Sequence, residues 1–130
     1  MNMLLFDTCT LLWIASDPEK ISANAHHAIL ENADELYISA ISAFEIGLKA
    51  QRGKLVLPFA PRKWFDAAIE HHGIREIPIS SRICFLSAEL PLHHNDPCDR
   101  FIIATAMLHS MRIVTADVSI ARYKEASVIW

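Results

Sequence analysis

His94-Asn95-Asp96-Pro97-Cys98-Asp99-Arg100-Phe101-Ile102-Ile103-Ala104-Thr105-Ala106 sets three charged side chains in front of a run that is apolar on nearly every side. Asp96, Asp99 and Arg100 stand at i, i+3 and i+4, so a helix puts them on one face. The residues behind them leave that helix little polar surface, so it reads as buried rather than as a surface helix. Carboxylates that open a buried helix need a partner, because desolvated charge is costly alone. Helix capping would supply one, and so would a metal ion.

Around this helix, short apolar runs alternate with helical patterns. Residues 3–6 form a continuous apolar run ending at Asp7 and read as a buried strand. Further strands are predicted at 36–40, 74–79, 112–115 and 127–130. Helices are predicted at 8–15, at 21–33 with Ser22 as N-cap, and at 42–52 closed by Gly53. Others follow at 61–72 between Pro61 and Gly73, at 80–90 begun by Ser80 or Ser81, and from 96 to about 111. A short helical turn is expected around 120–123, and a loop at 54–60. This alternation predicts an α/β fold with a mainly parallel sheet. With 130 residues and no repeat or linker, the chain reads as a single domain, 1–130.

The formal net charge is −3, so any nucleic-acid role has to rest on a local patch. Three scattered cysteines, Cys9, Cys84 and Cys98, make no disulfide framework and suit a reducing, cytoplasmic setting. No apolar run approaches the ~20 residues of a membrane span. The N-terminus meets an acid at once and lacks a basic leader, which argues against a signal peptide.

Asp7 and Asp117 each follow a predicted strand, at the edge where open α/β sheets bind ligands. Glu45 lies in the first turn of the helix after the second strand, so it belongs to the same edge. The central helix is joined to the next strand by a short link, and on that ground its N-terminus, with Asp96 and Asp99, is expected at the opposite edge. Only an oblique crossing or an entry through the 91–95 loop would bring Asp99 beside Asp7. Carboxylates that meet cannot all stay ionised without a cation. Oxygen-only ligands favour Mg²⁺ or Mn²⁺ over zinc, and no Cys/His spacing supports a zinc site. Capping explains each acid as well, at ~1 kcal/mol each. Ser42 and Glu45 fit a capping box, Asp96 an N-cap with Pro97 at N1 and Asp99 at N3, and Asp7 and Asp117 the starts of their own helices. From the residues alone both readings stand.

The order of motifs resembles the PIN domain family, and within it the VapC-type toxins of bacterial toxin–antitoxin pairs. Leu5-Phe6-Asp7-Thr8-Cys9-Thr10-Leu11-Leu12-Trp13 is similar to the family's opening. Ser39-Ala40-Ile41-Ser42-Ala43-Phe44-Glu45-Ile46 is similar to its second motif. Leu90-Pro91, then His94 to Arg100 and Ile103-Ala104-Thr105-Ala106, resemble the third, and Ile113-Val114-Thr115-Ala116-Asp117 the last. The joint match spans residues 5–117 at matching spacings and is specific, where one motif alone would be weak. Cys98 departs from the aromatic usual there, which bears on packing between the two acids more than on the chemistry.

The resemblance implies a three-layer α/β sandwich and Mg²⁺-dependent endoribonuclease activity, with Mn²⁺ as a substitute. It implies that Asp7, Glu45, Asp99 and Asp117 are catalytic and bind the metal, Asp7 and Asp99 most directly, with Asp96 as a fifth acid. It also implies that the central helix does start at the acid cluster. Thr8 and Thr115 would orient these groups, and Arg100 would contact phosphate or pair with Asp96. Water attack on the phosphodiester would leave a 5′-phosphate and a 3′-hydroxyl. Implied partners are RNA, a cognate antitoxin, a second copy in a homodimer and a toxin–antitoxin hetero-oligomer, with no membrane. An antitoxin arginine would reach into the acid cluster.

Between residues 46 and 65 lie Lys49, Arg52, Lys54, Arg62 and Lys63 and no acid. This patch could steer an RNA backbone toward the carboxylates, with Trp64 or Phe65 stacking on bases. It could equally be a solvated helix end, and the resemblance adds a third reading, docking of an acidic or amphipathic antitoxin C-terminus. Trp13, Phe59, Trp64 and Phe65 could line a groove or dimer face, or fill the core. His94 is expected to fix its loop, and the pairs His26-His27 and His71-His72 to be exposed helix residues. Two other classes compete with a nuclease. One is a module that binds RNA or a partner without cleavage. The other is a phosphatase or receiver, disfavoured because Asp7-Thr8-Cys9 lacks a second aspartate.

Overall fold

In the computed structural model, residues 2–91 and 95–130 are described. Among these residues, five short strands make one sheet: β1 Leu4–Phe6, β2 Leu36–Ser39, β3 Arg75–Ile77, β4 Arg112–Val114 and β5 Val128–Ile129. Their order is β3-β2-β1-β4-β5 and every pairing is parallel. Among the described residues, seven α-helices connect or flank them: α1 Thr8–Ser16, α2 Ala23–Glu31, α3 Ala40–Gln51, α4 Pro61–His71, α5 Ser81–Glu89, α6 Pro97–His109 and α7 Val118–Ala121. Among the described residues, no helix is long and apolar enough to cross a membrane.

The central strand β1 is apolar on both faces because both are covered, whereas the edge strand β3 exposes Arg75 and Glu76. Leu4, Phe6, Leu36, Ile38 and Val114 pack with Leu11, Ala25, Ile29, Trp64 and Phe65 from α1, α2 and α4. Leu5 and Ile113 point the other way and pack with Ile102, Ile103 and Ala106 of α6 and with Ile120 and Tyr123. The period-two alternation of each strand thus divides the apolar residues between two cores, giving three layers. Trp64 and Phe65 are each 5% exposed, so they belong to the first core and are not available to stack on bases.

The topology fixes where the crevice lies. From β1 the chain moves outward through β2 to β3, then returns through α5 and α6 to β4 on the other side of β1. Strand order therefore reverses between β1 and β4, and α/β sheets bind ligands outside the C-terminal strand ends at such a point. The expected placement of α6 needs correction. Its short link to β4 fixes its C-terminus, not its N-terminus, at the N-terminal edge of the sheet. Thirteen residues rise about 20 Å, which carries the start of α6 to the opposite edge, where Asp7 and Asp117 are.

Caps set most helix starts. Ser22 Oγ accepts from Ala25 N at 3.0 Å and starts α2, and Ser80 Oγ accepts from Ile83 N at 3.3 Å and starts α5. The capping box at Ser42 does not form. Ser39 caps α3 instead, its Oγ accepting from Ile41 N at 3.1 Å. The helix begins at Ala40, directly from the strand, which leaves both Ser42 and Glu45 for tertiary contacts. Asp117 caps α7, so the final helical turn comes slightly earlier than 120–123.

Candidate active site

Asp7, Glu45, Asp96, Asp99 and Asp117 line one cleft of about 350 Å³, together with Thr8, Cys9, Trp13 and Lys49. Four elements converge there: the end of β1, the second turn of α3, the start of α6 and the segment after β4. Among the described residues, five carboxylates and one ammonium line the cleft.

Asp7 is 5% exposed and held at both oxygens. Its Oδ1 accepts from Thr10 N at 2.8 Å, which caps α1. Its Oδ2 accepts from Thr115 Oγ1 at 2.5 Å, in the short range of charge-assisted bonds. Thr115 Oγ1 accepts in turn from Asp117 N at 3.0 Å, so one threonine ties β4 to the acid after β1. Thr10 adds a second tie, donating from Oγ1 to Val114 O at 2.7 Å. Burial pushes the Asp7 carboxyl above the usual range; its bonds from Thr10 and Thr115 oppose that rise, and the nearby Asp117 adds to it.

Glu45 lies across the cleft. Thr8 Oγ1 is 2.7 Å from Glu45 Oε1 and 2.9 Å from Ser42 Oγ. A hydroxyl has one proton and an ionised carboxylate only accepts, so Thr8 donates to Glu45. The other oxygen, Oε2, pairs with Lys49 Nζ at 2.9 Å, one helical turn on. That contact raises the Lys49 pKa.

Asp96 Oδ1 accepts from Cys98 N at 2.9 Å, and Asp117 Oδ1 from Ser119 N at 2.8 Å. Asp96, Asp117 and Asp7 are thus helix caps and cleft residues at once. The two readings of the acids are one arrangement, because three helices begin at the rim of the same crevice. Their positive N-terminal ends help hold the negative charge there.

Not every expected site residue belongs to the cleft. Arg100 is buried beside it and makes no pair with Asp96 among the described residues. It is 8% exposed, and its guanidinium donates to Ser87 O at 2.8 Å, Leu90 O at 2.9 Å and Pro91 O at 3.1 Å. It clamps the end of α5 onto α6, because five donors in a fixed fork suit a group of backbone carbonyls. Arg52, Lys54, Arg62 and Lys63 are exposed around the end of α3 and the start of α4, and Lys49 alone of the patch enters the cleft. Cys98 is packed in the core, and burial pushes its thiol up to about 11. His94 lies outside the described residues. His26 is half-buried, its Nε2 2.9 Å from Pro18 O, while His27 is exposed and pairs with Glu31. Of the second pair, His71 is exposed and His72 half-buried.

The sequence reading missed Thr10, Ser42 and the Lys49–Glu45 pair. The last was available from i, i+4 spacing. Thr10 bonds a residue 104 positions away and Ser42 one 34 away, separations that no local pattern encodes.

The donor set is all oxygen, which suits a hard divalent ion. Among the described residues no three metal-binding groups form a ready-made shell. Mg²⁺ does not require one, since it keeps several waters and is held through one or two carboxylates plus substrate phosphate. Asp7, Asp99, Glu45, Asp117 and Asp96 are the residues that could hold such an ion.

The chain is similar to proteins already known. The family model described as PIN domain matches residues 4–126. The chain is 35% identical over 118 residues to ribonuclease VapC22 of Mycobacterium tuberculosis, covering 90% of this chain and 88% of that protein. Among solved structures, DNA-bound VapBC from Salmonella typhimurium has a TM-score of 0.72 at 14% identity, covering 98% of this chain and 97% of that one. FitAcB from Neisseria gonorrhoeae has a TM-score of 0.63 at 22% identity, covering 97% and 96%. These two likenesses are in fold.

Proposed function

The chain belongs to the PIN domain family and, within it, to the VapC ribonucleases, and on that premise we propose that it cleaves RNA internally as a Mg²⁺-dependent toxin of a toxin–antitoxin pair. The observation that carries the reading is the convergence of five carboxylates at the point where strand order reverses. A cluster of that charge has one cationic side chain lining it among the described residues, so its chemistry calls for a further cation.

A bound Mg²⁺ supplies water activation and offsets charge that builds on the phosphate. The chain's own residues prepare the place for it. Thr10 N and Thr115 Oγ1 fix both oxygens of Asp7 before any ion arrives. Thr8 orients Glu45 from the opposite wall. Such fixed groups need not reorganise during the reaction. Asp99 and Asp96, from the first turn and N-cap of α6, complete the acidic wall. Mn²⁺, also a hard ion, is expected to substitute. No nucleophilic side chain is required, and Cys9, though exposed, is poorly suited to be one, since partial desolvation against the cleft wall and the nearby Asp7, Glu45 and Asp99 carboxylates push its thiol pKa up.

The partner in this reading is an antitoxin protein. Support comes from solved structures of similar fold, among them a toxin–antitoxin complex from Klebsiella pneumoniae. Exposed apolar side chains such as Phe44, Phe59 and Phe85 suit protein contacts, in a homodimer and in the hetero-oligomer.

The test is cleavage of a panel of tRNAs and structured RNAs by antitoxin-free protein, with Mg²⁺ and then with EDTA. Discrete internal cuts should vanish with EDTA and fall at least about a hundredfold in Asp7→Asn and in Asp99→Asn. Cutting that survives both substitutions would sink the site assignment. RNA binding with no cutting at any Mg²⁺ concentration would turn the reading to a binding module.

A further inference from the structure

Lys49 stands in an unusual place for a surface lysine. It lines the acid cleft, and its Nζ is 2.9 Å from Glu45 Oε2, while Thr8 engages the other Glu45 oxygen. Both oxygens of Glu45 are therefore in use within the protein. The lysine side chain is 40% exposed and the glutamate 15%, so the ammonium sits at the cleft mouth and the carboxylate inside it. Its stem is long and flexible, and it can swing outward without disturbing α3.

We propose that Lys49 is a resident counter-cation of the cleft, paired with the Glu45 oxygen that a divalent ion would take, so that ion loading displaces it. The inference rests on the metal-dependent reading above and adds a positioning residue to it. Without the ion, Lys49 keeps Glu45 oriented and lessens repulsion among five carboxylates. On loading, one cation replaces another, and Glu45 moves from the ammonium to the ion's shell. The competition raises the ion concentration at which the site fills. A general electrostatic role would depend on charge alone. A competitive one depends on the contact with Oε2.

The experiment is calorimetric titration of Mn²⁺ into the whole chain, free of RNA, for the parent, Lys49→Met, Lys49→Arg, Arg52→Met and Asp7→Asn. Lys49→Met should bind Mn²⁺ about three- to fivefold tighter than the parent, the upper scale of a partly exposed ion pair. Lys49→Arg, which keeps the pair, should stay within about twofold, and so should Arg52→Met, which removes the same charge three residues on, just past the end of α3. Metal-free Lys49→Met should melt below the parent and recover the difference when Mn²⁺ is added, which a purely structural loss would not do. Parent-like or weaker ion binding by Lys49→Met overturns the proposal, and so does equal tightening by Arg52→Met. A parent that binds no Mn²⁺, or an Asp7→Asn variant that binds as the parent does, overturns the metal reading and this inference with it.

Discussion

Asp7 keeps a carboxylate where α1 and the sheet exclude nearly all water, and it does so with one backbone donor and one threonine hydroxyl. Burying a charge is unfavourable even with good hydrogen bonds. Asparagine preserves both contacts: its carbonyl oxygen can accept from Thr10 N, and its amide can donate to Thr115 Oγ1. Metal-free Asp7→Asn should therefore melt above the metal-free parent at pH 7, while Mg²⁺ should raise the melting temperature of the parent and leave the variant nearly unmoved. Thermal unfolding with EDTA and with Mg²⁺ measures both. A variant that melts lower than the metal-free parent would mean that the charge itself, not only its hydrogen bonds, holds β1 to β4.

Among the elements, the α5–α6 pair carries the acid-bearing helix into place, and Arg100 is the link between them. Three backbone carbonyls at the end of α5 and just beyond it accept from its guanidinium. Replacing it with Met leaves those acceptors unmatched, at a cost of about 3 kcal/mol. For a chain of this size that is roughly 10 °C in melting temperature. Denaturant unfolding of Arg100→Met checks it, and a loss below about 0.5 kcal/mol, the level of an ordinary surface change, would refute the clamp. From sequence, this arginine is hard to place, because it shares its face with Asp96 and Asp99 and looks like part of the same charged cluster. The strands and most helix starts were legible, since alternation and Ser/Asp caps are local signals. The cap at Ser39 was obscured by the better-matching Ser42–Glu45 pattern one turn later. Trp64 and Phe65 fit a stacking surface until the fold closes over them, and burial of that kind is a tertiary fact. All five acids could be picked out by motif, whereas their convergence depends on the direction in which α6 runs.

At the scale of the molecule, an acidic cleft in a chain of net charge −3 has to attract a polyanion. The exposed Arg52, Lys54, Arg62 and Lys63 form a local exception to that charge, around the end of the helix that carries Glu45 and the start of the one after it. If RNA runs over this patch, neutralising the four together should weaken RNA binding and flatten its salt dependence. The slope of log affinity against log salt should drop by roughly 0.7 for each phosphate no longer neutralised. Titrations of labelled RNA at several salt concentrations, in the Asp99→Asn background to prevent cutting, measure it. An unchanged slope would leave the patch a solvated helix end.

The central position of β1 also governs when the cleft can exist. β1 is made well before its neighbour β4, which comes more than a hundred residues later, and Thr115 holds Asp7 across a separation of 108. A chain emerging from the ribosome N-terminus first has Asp7 and Glu45 early, with nothing to bind them to Asp99 and Asp117 until those are synthesised. The five acids of the cleft therefore come together only once the segment through β4 has been made, and a chain terminated before α6 carries two of the five.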